Sequence, residues 1–330
     1  MEQQPPKFSL ALAEQLAHAA KVEISHLAIS TPGHPDSLQI AQWDHSKSRI
    51  TNIWDREALL GRGTTGHVYL ERSISGDRVG QTRAVKVLDF ASSGLIAQQL
   101  VDTRRRELLA SIFASAPWCE RHFVKTEAWF LLGDVPNLVM KQYLGDLGSV
   151  QLIPYGPMSP HDARVVIKQV LEALAFLHSQ QLVHRDVKPE NVMVEANVPS
   201  WVVKLGDFGV TEYYADVTSR DKLNVVGTMG FMAPEVLGLI PHSHQETFSQ
   251  AMKADVFATG VLLFILLTRK APFPPGGTYM DDWVHGRMPN NFPFDHLPIG
   301  CPENTRQAVQ HMLARDASHR PTAAELLAVY

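Results

Sequence analysis

Hydrophobic and polar residues alternate along the part of the chain that follows residue 54. Short apolar runs lie at 58–60, 68–70 and 84–88, with glycines after the first run and a Ser-Gly-Asp turn after the second. Alternation with a period of two residues is typical of β-strands. These runs therefore predict an antiparallel, three-stranded meander.

A helix and a hairpin complete this first region. Residues 95–114 show a helical pattern, and the apolar runs at 129–132 and 138–140 flank the turn-forming residues at 134–137. We therefore expect a small sheet with one helix, ending near a connector at 141–143.

The pattern then changes to a helical period. Ser159 and Pro160 stand in the positions that a capping residue and a proline favour at the start of a helix. The apolar residues that follow at spacings of three and four predict one buried helical face: Ile167, Val170, Leu171, Leu174 and Leu177. Further helices are predicted over 253–268, 304–314 and 322–329. The second region is therefore expected to be mainly helical.

The first 54 residues have a different character. Residues 8–21 predict a helix with Ser9 as N-cap, and 38–43 and 49–54 predict short strands. We expect an extension that packs on the sheet-rich lobe. A docking or regulatory element is the alternative, and no residue pattern names its partner.

The composition excludes several functional classes. A net charge of −4 gives no basic surface, so no nucleic-acid partner is expected. Two cysteines are too few for a disulfide framework. The apolar run at 261–267 is too short to span a bilayer and predicts a buried core helix. Signal-peptide and lipid-anchor patterns are missing from the termini, so we expect no membrane partner and a cytoplasmic or nuclear location.

A glycine-rich loop connects the first two strands of the predicted meander. Without side chains at Gly61, Gly63 and Gly66, the backbone amides can close over phosphates. The same spacing marks dinucleotide sites, but there a helix follows the loop. Here a second strand follows. A chance glycine turn is the remaining alternative.

Residues 184–191 read His-Arg-Asp-Val-Lys-Pro-Glu-Asn, and an Asp-Phe-Gly tripeptide begins at Asp207. Asp186 can accept a proton, Lys188 can hold a phosphate, and Asn191 can hold a metal ion. Asp207 adds another carboxylate. A base, a divalent cation and charge stabilisation are the requirements of phosphoryl transfer.

These motifs resemble the serine/threonine branch of the eukaryotic protein kinase family. Lys86 in an Ala-Val-Lys-Val run and the Ala-Pro-Glu at the end of 227–235 belong to the same resemblance. It covers residues 55–330 and implies an α+β, bilobal protein-kinase-like fold. We expect an N-terminal extension at 1–54, an antiparallel β-sheet N-lobe with one helix and the hinge at 55–143, and a mainly α-helical C-lobe at 144–330.

The resemblance implies a role for each motif residue. Asp186 would act as the base, Lys188 would neutralise the transferring phosphoryl group, and Lys86 would grip the nucleotide phosphates while paired with Glu107. A surface pair between Glu107 and a neighbouring arginine is the alternative. The ATP site would comprise Gly61, Arg62, Gly63, Gly66, Val68, Ala84, Lys86, Met140, Gln142, Tyr143 and Met193.

The same resemblance implies metal ligands and internal anchors. Asn191 and Asp207 would hold magnesium, as two ions, with manganese as a substitute. Glu235 would form a buried ion pair with Arg320. Asp255 would hold the backbone of the catalytic loop.

Residues 209–235 resemble an activation segment. Thr228 would hydrogen-bond to the catalytic aspartate and lysine. Thr218 and Ser219 are the expected regulatory phosphosites, modified by an upstream activating kinase, although exposed loop hydroxyls are also common without any such role. The expected phosphate partners are Arg185 and the arginines at 104–106.

One position departs from the family pattern. The family has a bulky apolar residue one helical turn after the glutamate, stacked with the histidine and phenylalanine of the other two motifs. This chain has Ser111 there and Ile112 next. We expect a looser helix, unless the helix is shifted by one residue or Ile112 substitutes.

The function expected is transfer of the γ-phosphoryl group of ATP to serine or threonine hydroxyls of protein substrates. The alternative from a different class is a catalytically weak scaffold or allosteric binding module with the same fold. A kinase for small molecules is a further alternative, which the long activation segment disfavours.

Overall fold

The structure is a computed structural model that describes residues 5–27, 38–44, 46–63, 65–89, 97–152, 156–214, 225–240, 247–289 and 291–329. The chain divides into two compact units, unit 1 at Met1–Gln142 and unit 2 at Tyr143–Tyr330. The division falls within the connector expected at 141–143.

Unit 1 contains one antiparallel sheet, which has seven strands in the described part of the chain and the order β1-β2-β3-β4-β5-β7-β6. The strands are β1 (Ile24–Leu27), β2 (Gln39–Trp43), β3 (Ile50–Gly63), β4 (Gly66–Gly76), β5 (Thr82–Val87), β6 (Thr126–Leu132) and β7 (Val135–Met140). The predicted meander is β3-β4-β5, and the predicted hairpin is β6-β7. Strand β1 had no counterpart among the predicted strands.

Strand β3 corrects the prediction of separate strands at 49–54 and 58–60. It runs without a break through the charged residues at 55–57, which the sequence pattern treated as a boundary. Two of those three charges are matched across the sheet: Arg56 pairs with Glu71 at 2.7 Å and Glu57 with Arg72 at 2.6 Å. Register shifts along the β3-β4 pair let this long strand bend.

The N-terminal residues are part of the same sheet, because β1 pairs with β2 and β2 pairs with β3. Ile40 of β2 packs with Val85, Phe130 and Val139 in a buried cluster.

Unit 1 also contains helices α1 (Leu10–Ala20) and α2 (Ala97–Ala114), which pack on each other. The Ser9 side chain accepts a hydrogen bond from the Leu12 amide at 3.2 Å, so the predicted N-cap is confirmed. Helix α2 becomes continuously buried only from Glu107 onward.

Unit 2 is mainly helical. Its helices are α3 (Pro160–Ser179), α4 (Phe248–Thr268), α5 (Tyr279–Val284), α6 (Glu303–Met312) and α7 (Ala323–Val329). Short strands β8 (Gly145–Asp146), β9 (Leu182–Val183), β10 (Val192–Ala196), β11 (Val202–Leu205) and β12 (Glu212–Tyr213) form two small sheets among the described residues. The predicted cap of α3 is confirmed, since Ser159 Oγ accepts from the Asp162 amide at 3.1 Å.

Helix α4 forms the centre of the unit 2 core. It begins five residues before the predicted helix, because Thr247 and Gln250 form a reciprocal capping box. It packs on α3 and α6, and a Cβ at Gly260 would approach Met312 Cβ to 2.6 Å. Helix α4 is long and apolar enough to cross a membrane, but 72% of its most apolar window is buried within the protein. That burial is typical of the core helix predicted here.

The two cysteines are free and buried. Burial raises the pKa of the Cys119 thiol to about 12 and also raises the pKa of Cys301. Cys119 is therefore a poor nucleophile at neutral pH.

A buried ion pair holds residues 233–240 to the helical core. Arg320 donates to both carboxylate oxygens of Glu235, at 2.5 and 2.6 Å. The guanidinium also donates to the carbonyl of Ala314 at 2.7 Å and lies 4.9 Å from the Phe257 ring centroid. The predicted pair is confirmed, and its guanidinium is satisfied by additional acceptors.

We predict that Arg320→Met lowers the free energy of unfolding by about 3–5 kcal/mol, because it leaves the Glu235 carboxylate buried without its cation. Arg72→Met removes an exposed pair with Glu57 and should cost far less. Urea unfolding of both variants, followed by the fluorescence of the six tryptophans, measures the difference. Equal losses in the two variants would contradict the assignment of Arg320 as an anchor.

Candidate active site

In unit 1, a buried ion pair joins the sheet to helix α2. Lys86 lies on β5 between β4 and β7, and its Nζ is 2.6 Å from Glu107 Oε1. The two side chains are only 9% and 1% exposed. The alternative of a surface pair between Glu107 and an arginine is therefore wrong.

The pair also determines the register of α2. Because Glu107 faces Lys86, the helix is not shifted by one residue. Ser111 and Ile112 are both buried one turn later. The Ser111 carbonyl accepts from Ser115 Oγ at 2.7 Å, and that oxygen accepts from the Thr126 amide at 2.7 Å, so the end of α2 is tied to β6.

The glycines of the β3-β4 loop have different structural requirements. Gly66 has φ +153°, and a Cβ there would come within 1.8 Å of the Val87 carbonyl oxygen. A Cβ at Gly61 would have no neighbour within 4 Å, and one at Gly63 would meet only the Gly66 carbonyl oxygen, at 3.8 Å. Of these three glycines, Gly66 is the one that the fold requires. At Gly61 and Gly63 the missing side chains leave space for a ligand.

The other residues assigned to a nucleotide site in unit 1 lie on neighbouring strands. Val68 on β4 is opposite Lys86, and Ala84 on β5 is opposite Met140 on β7. Arg62 is opposite His67, next to the turn of the glycine loop. At the other end, the Thr82 hydroxyl donates to Gln142 Oε1 at 2.6 Å.

Two residues assigned to the nucleotide site belong to unit 2. Tyr143 is its first residue. Met193 lies on β10, opposite Asp146 on β8 and Lys204 on β11. Met193 is thus on the middle strand of the sheet that leads to the two motifs at 184–191 and 207–209.

A buried carboxylate fixes the start of the catalytic loop, which follows β9. Asp255 on α4 accepts from the amides of His184 at 2.9 Å and Arg185 at 2.7 Å. The predicted contact of Asp255 with this backbone is confirmed. His178 Nε2 lies 2.9 Å from Asp255 Oδ2, a contact that the sequence analysis missed.

Three polar side chains meet at Asp186: Lys188 and Asn191 of the same loop, and Thr228. The Thr228 hydroxyl donates to Asp186 Oδ1 at 2.7 Å and accepts from Lys188 Nζ at 2.7 Å. Lys188 Nζ also lies 2.7 Å from Asp186 Oδ2, and Asn191 Nδ2 donates to that oxygen at 2.9 Å. The hydrogen bonds predicted for Thr228 are confirmed.

The backbone beside this network is strained and close-packed. Arg185 and Asp207 have φ of 71° and 61°, which are uncommon for residues other than glycine. Gly227 has φ +115°, and a Cβ there would come within 2.6 Å of the Arg185 carbonyl oxygen. Such strain concentrates at functional sites. Gly227 therefore lets Thr228 approach the catalytic loop.

Asn191 and Asp207 flank the same end of the β10-β11 hairpin. In the β10-β11 pair Val192 is opposite Leu205, and the Gly206 amide donates to the Asn191 carbonyl at 2.8 Å. His184 Nε2 lies 3.0 Å from the Gly206 carbonyl oxygen, and its ring is 5.8 Å from that of Phe208. The two motifs are thus held together within unit 2.

The donor atoms at this hairpin fit a hard divalent cation. Asp207 supplies a carboxylate, and Asn191 donates through Nδ2 to Asp186, so its Oδ1 is the atom available to a cation. Carboxylate and carboxamide oxygens are the ligands that Mg²⁺ takes, with waters and phosphates completing the octahedron. Within the described ranges, no cluster of three His, Cys, Asp or Glu side chains offers another metal site.

The predicted phosphosites Thr218 and Ser219 lie outside the described residues. Of their expected partners, Arg185 donates to Glu212 Oε2 at 3.0 Å. The arginines at 104–106 also make contacts within unit 1: the first donates to the carbonyls of Leu88 and Asp89, the second pairs with Glu14, and the third donates to Thr103.

Two features define a protein kinase domain. Unit 1 is a sheet unit with a buried lysine–glutamate pair, and unit 2 is a helical unit that carries this aspartate–lysine–asparagine loop. The comparison with known families agrees. The model described as "Protein kinase domain" matches residues 54–329. The chain belongs to the eukaryotic protein kinase family, in its serine/threonine branch.

Several curated kinases are similar to most of this chain. Serine/threonine-protein kinase PAK mbt of Drosophila melanogaster is 29% identical over 82% of the chain and 38% of its own length. CDPK-related kinase 4 of Arabidopsis thaliana is 30% identical over 82% of the chain and 43% of its own length. The liver/testis phosphorylase b kinase gamma catalytic chain of Bos taurus is 30% identical over 71% of the chain and 55% of its own length. The chain thus spans about half or less of the length of these relatives.

We predict opposite outcomes for alanine at two glycines of the loop. Gly66→Ala should lower the free energy of unfolding by more than about 1 kcal/mol, because its Cβ would overlap the Val87 carbonyl. Gly61→Ala should leave stability unchanged or raise it by about 0.4–1 kcal/mol, yet weaken ATP binding. Urea unfolding and nucleotide titration separate these effects. Equal stability of the two variants, or unchanged ATP affinity in Gly61→Ala, would contradict the assignment.

Proposed function

We propose that the chain transfers the γ-phosphoryl group of ATP to serine and threonine hydroxyls of protein substrates. The observation that carries this proposal is the hydrogen-bonded group of Asp186, Lys188, Asn191 and Thr228. Family membership supports ATP and Mg²⁺ as its cofactors.

In the proposed reaction, the substrate hydroxyl oxygen bonds to the γ-phosphorus as the bond to the ADP oxygen breaks. Asp186 accepts the proton that the hydroxyl loses. Thr228 and Asn191 hold the Asp186 carboxylate in place through the bonds at 2.7 and 2.9 Å described above. Positioning of this kind supplies most of the catalysis in phosphoryl transfer.

Each unit supplies a lysine that would bind phosphate groups. Lys188 is bound to Asp186 and Thr228, so its ammonium is placed beside the base, where negative charge on the transferring group would develop. In unit 1, Lys86 is oriented by Glu107 and would bind nucleotide phosphates. Bound Mg²⁺, held by Asp207 and Asn191 as two ions and replaceable by Mn²⁺, would neutralise phosphate charge.

Two observations favour serine and threonine over tyrosine. Lys188 stands two residues after Asp186 and bonds to Thr228, the arrangement expected for that branch. The Drosophila relative named above is described as a serine/threonine-protein kinase.

An upstream kinase that phosphorylates Thr218 or Ser219 is part of the proposal. Arg185, one of the expected phosphate partners, already holds the Glu212 carboxylate. A phosphate would therefore compete with Glu212 for the guanidinium.

We predict that the purified chain phosphorylates serine and threonine peptides with ATP and Mg²⁺, and tyrosine peptides far more slowly. Asp186→Asn should lower kcat by about 10²–10⁴-fold, because the base can no longer accept the proton. Asp295→Asn, an exposed aspartate of unit 2, is the matched control and should be unaffected. The measurement is incorporation of labelled γ-phosphate into each peptide.

Two results would contradict this function. A wild type that binds ATP and Mg²⁺ but transfers no phosphate, even after phosphorylation of Thr218 and Ser219, would indicate the scaffold instead. Transfer to a mixture of metabolites but to no protein would indicate a small-molecule kinase.

A further inference from the structure

Helix α1 runs antiparallel to α2 and contacts it on both sides of Glu107. Near its start, the Phe8 and Phe113 rings meet edge to face, with centroids 5.0 Å apart. Further along α1, Glu14 pairs with Arg105. Arg105 and Phe113 are about 12 Å apart along a helix that rises 1.5 Å per residue. Glu107 therefore lies within the segment of α2 that α1 spans.

The other end of α1 is attached to the sheet. Trp129 on β6 donates from its indole Nε1 to the Ala17 carbonyl at 2.6 Å, and its own carbonyl accepts from the Val22 amide at 2.9 Å. The Lys21 ammonium lies 5.7 Å from the Trp129 ring centroid. Strand β6 belongs to the sheet whose strand β5 carries Lys86. Helix α1 thus connects the sheet to α2 independently of the Lys86–Glu107 pair.

Small residues let α1 pack closely. Ala13 and Ala17 are buried, at 0% and 4% exposure. Ala11 and Ala19, on the other side of the same helix, are exposed. A larger side chain is therefore tolerated on one face and excluded from the other.

Apart from the hydrogen bonds of Arg104 to the carbonyls of Leu88 and Asp89, the α2 segment before Glu107 has little other support. Residues 98–106 are exposed or only partly buried, and continuous burial begins at Glu107. The buried Lys86–Glu107 ion pair at 2.6 Å tolerates little displacement, because the attraction falls as the charges separate and no water is there to replace the lost partner. The position of Glu107 therefore depends on the elements that contact α2 around it.

We propose that α1 is a positioning element for phosphoryl transfer: by bridging β6 and α2, it holds Glu107 against Lys86. The inference rests on the proposed function. It assigns residues 8–22 a role in nucleotide use, although they precede the residues that the kinase domain model matches. No residue of α1 contacts the reacting groups in this account. Its effect is transmitted through Glu107.

The test introduces the same charge on the two faces of α1. Ala17→Glu places a carboxylate in the buried face, and Ala19→Glu places it on the exposed face. Ala17→Glu should raise the KM for ATP and lower kcat, together by about 10–100-fold, since a misplacement of about 1 Å can cost that much. Ala19→Glu should match the wild type. Phe8→Leu, a milder change at the other contact, should show the same trend if Ala17→Glu does not fold.

A double-mutant cycle distinguishes positioning from general destabilisation. In a Glu107→Gln background, Ala17→Glu should have almost no additional effect on kcat/KM, because both changes disable the same contact. Amide hydrogen exchange over 97–114 should be faster in Ala17→Glu, with unit 2 unchanged. The proposal would be overturned if the losses in kcat/KM from the two single changes multiplied in the double variant. It would also be overturned if Ala17→Glu had the kinetics and the hydrogen exchange of the wild type.

The two proposals fail separately. If the wild type transfers no phosphate even after phosphorylation of Thr218 and Ser219, the proposed function is wrong. The role of α1 can then still be tested by measuring ATP affinity and amide hydrogen exchange of α2 in Ala17→Glu and Ala19→Glu. Identical values in these two variants would refute the proposed role of α1.

Discussion

The catalytic loop depends on the hydrogen bonds that its backbone donates to the Asp255 carboxylate. This carboxylate is 1% exposed and accepts from two successive backbone amides, those of His184 and Arg185, while His178 contacts it from α3. Burying a carboxylate is costly unless such donors satisfy it, so the loop and the carboxylate stabilise each other. Because Asp255 lies on the central helix α4, the loop that carries Asp186 is attached to the rigid core of unit 2. The φ of +71° at Arg185 is maintained by this attachment.

In unit 1, as in unit 2, a buried charged residue is held in place by another element of the fold. The functional pair of unit 1, Lys86 and Glu107, is buried and joins the sheet to a helix whose first half has few buried contacts. In both units, a charged residue is oriented by an element distant in sequence. Asp255 follows the loop it holds by about 70 residues, and α1 precedes the segment of α2 that it contacts by about 90. Positioning of this kind explains why residues outside the motifs affect the chemistry.

Contacts among the motif residues were predictable from the sequence even where they join distant elements, as Lys86–Glu107 and Glu235–Arg320 do, and contacts outside the motifs were not. The bonds among Asp186, Lys188, Asn191 and Thr228 follow from motif positions that recur in the family. The contact of His178 with Asp255 joins two helices, and a lone histidine in a helical pattern gives no signal for it. The continuity of β3 was missed because its charges at 55–57 resemble a turn until the partners Glu71 and Arg72 are placed beside them. The α1 helix and its cap were predicted, but its buried face could be assigned only once α2 was present.

The most direct test of this account is single-turnover phosphoryl transfer by the wild type and Asp255→Asn at saturating ATP. An asparagine amide has only one acceptor oxygen in place of two, so one of the loop amides loses its partner. The account predicts transfer by the wild type and a rate lower by about 10–100-fold in Asp255→Asn, with ATP affinity retained and faster hydrogen exchange at His184 and Arg185. A wild-type rate in a variant whose loop amides have lost their protection would contradict the claim that this carboxylate prepares the loop for catalysis.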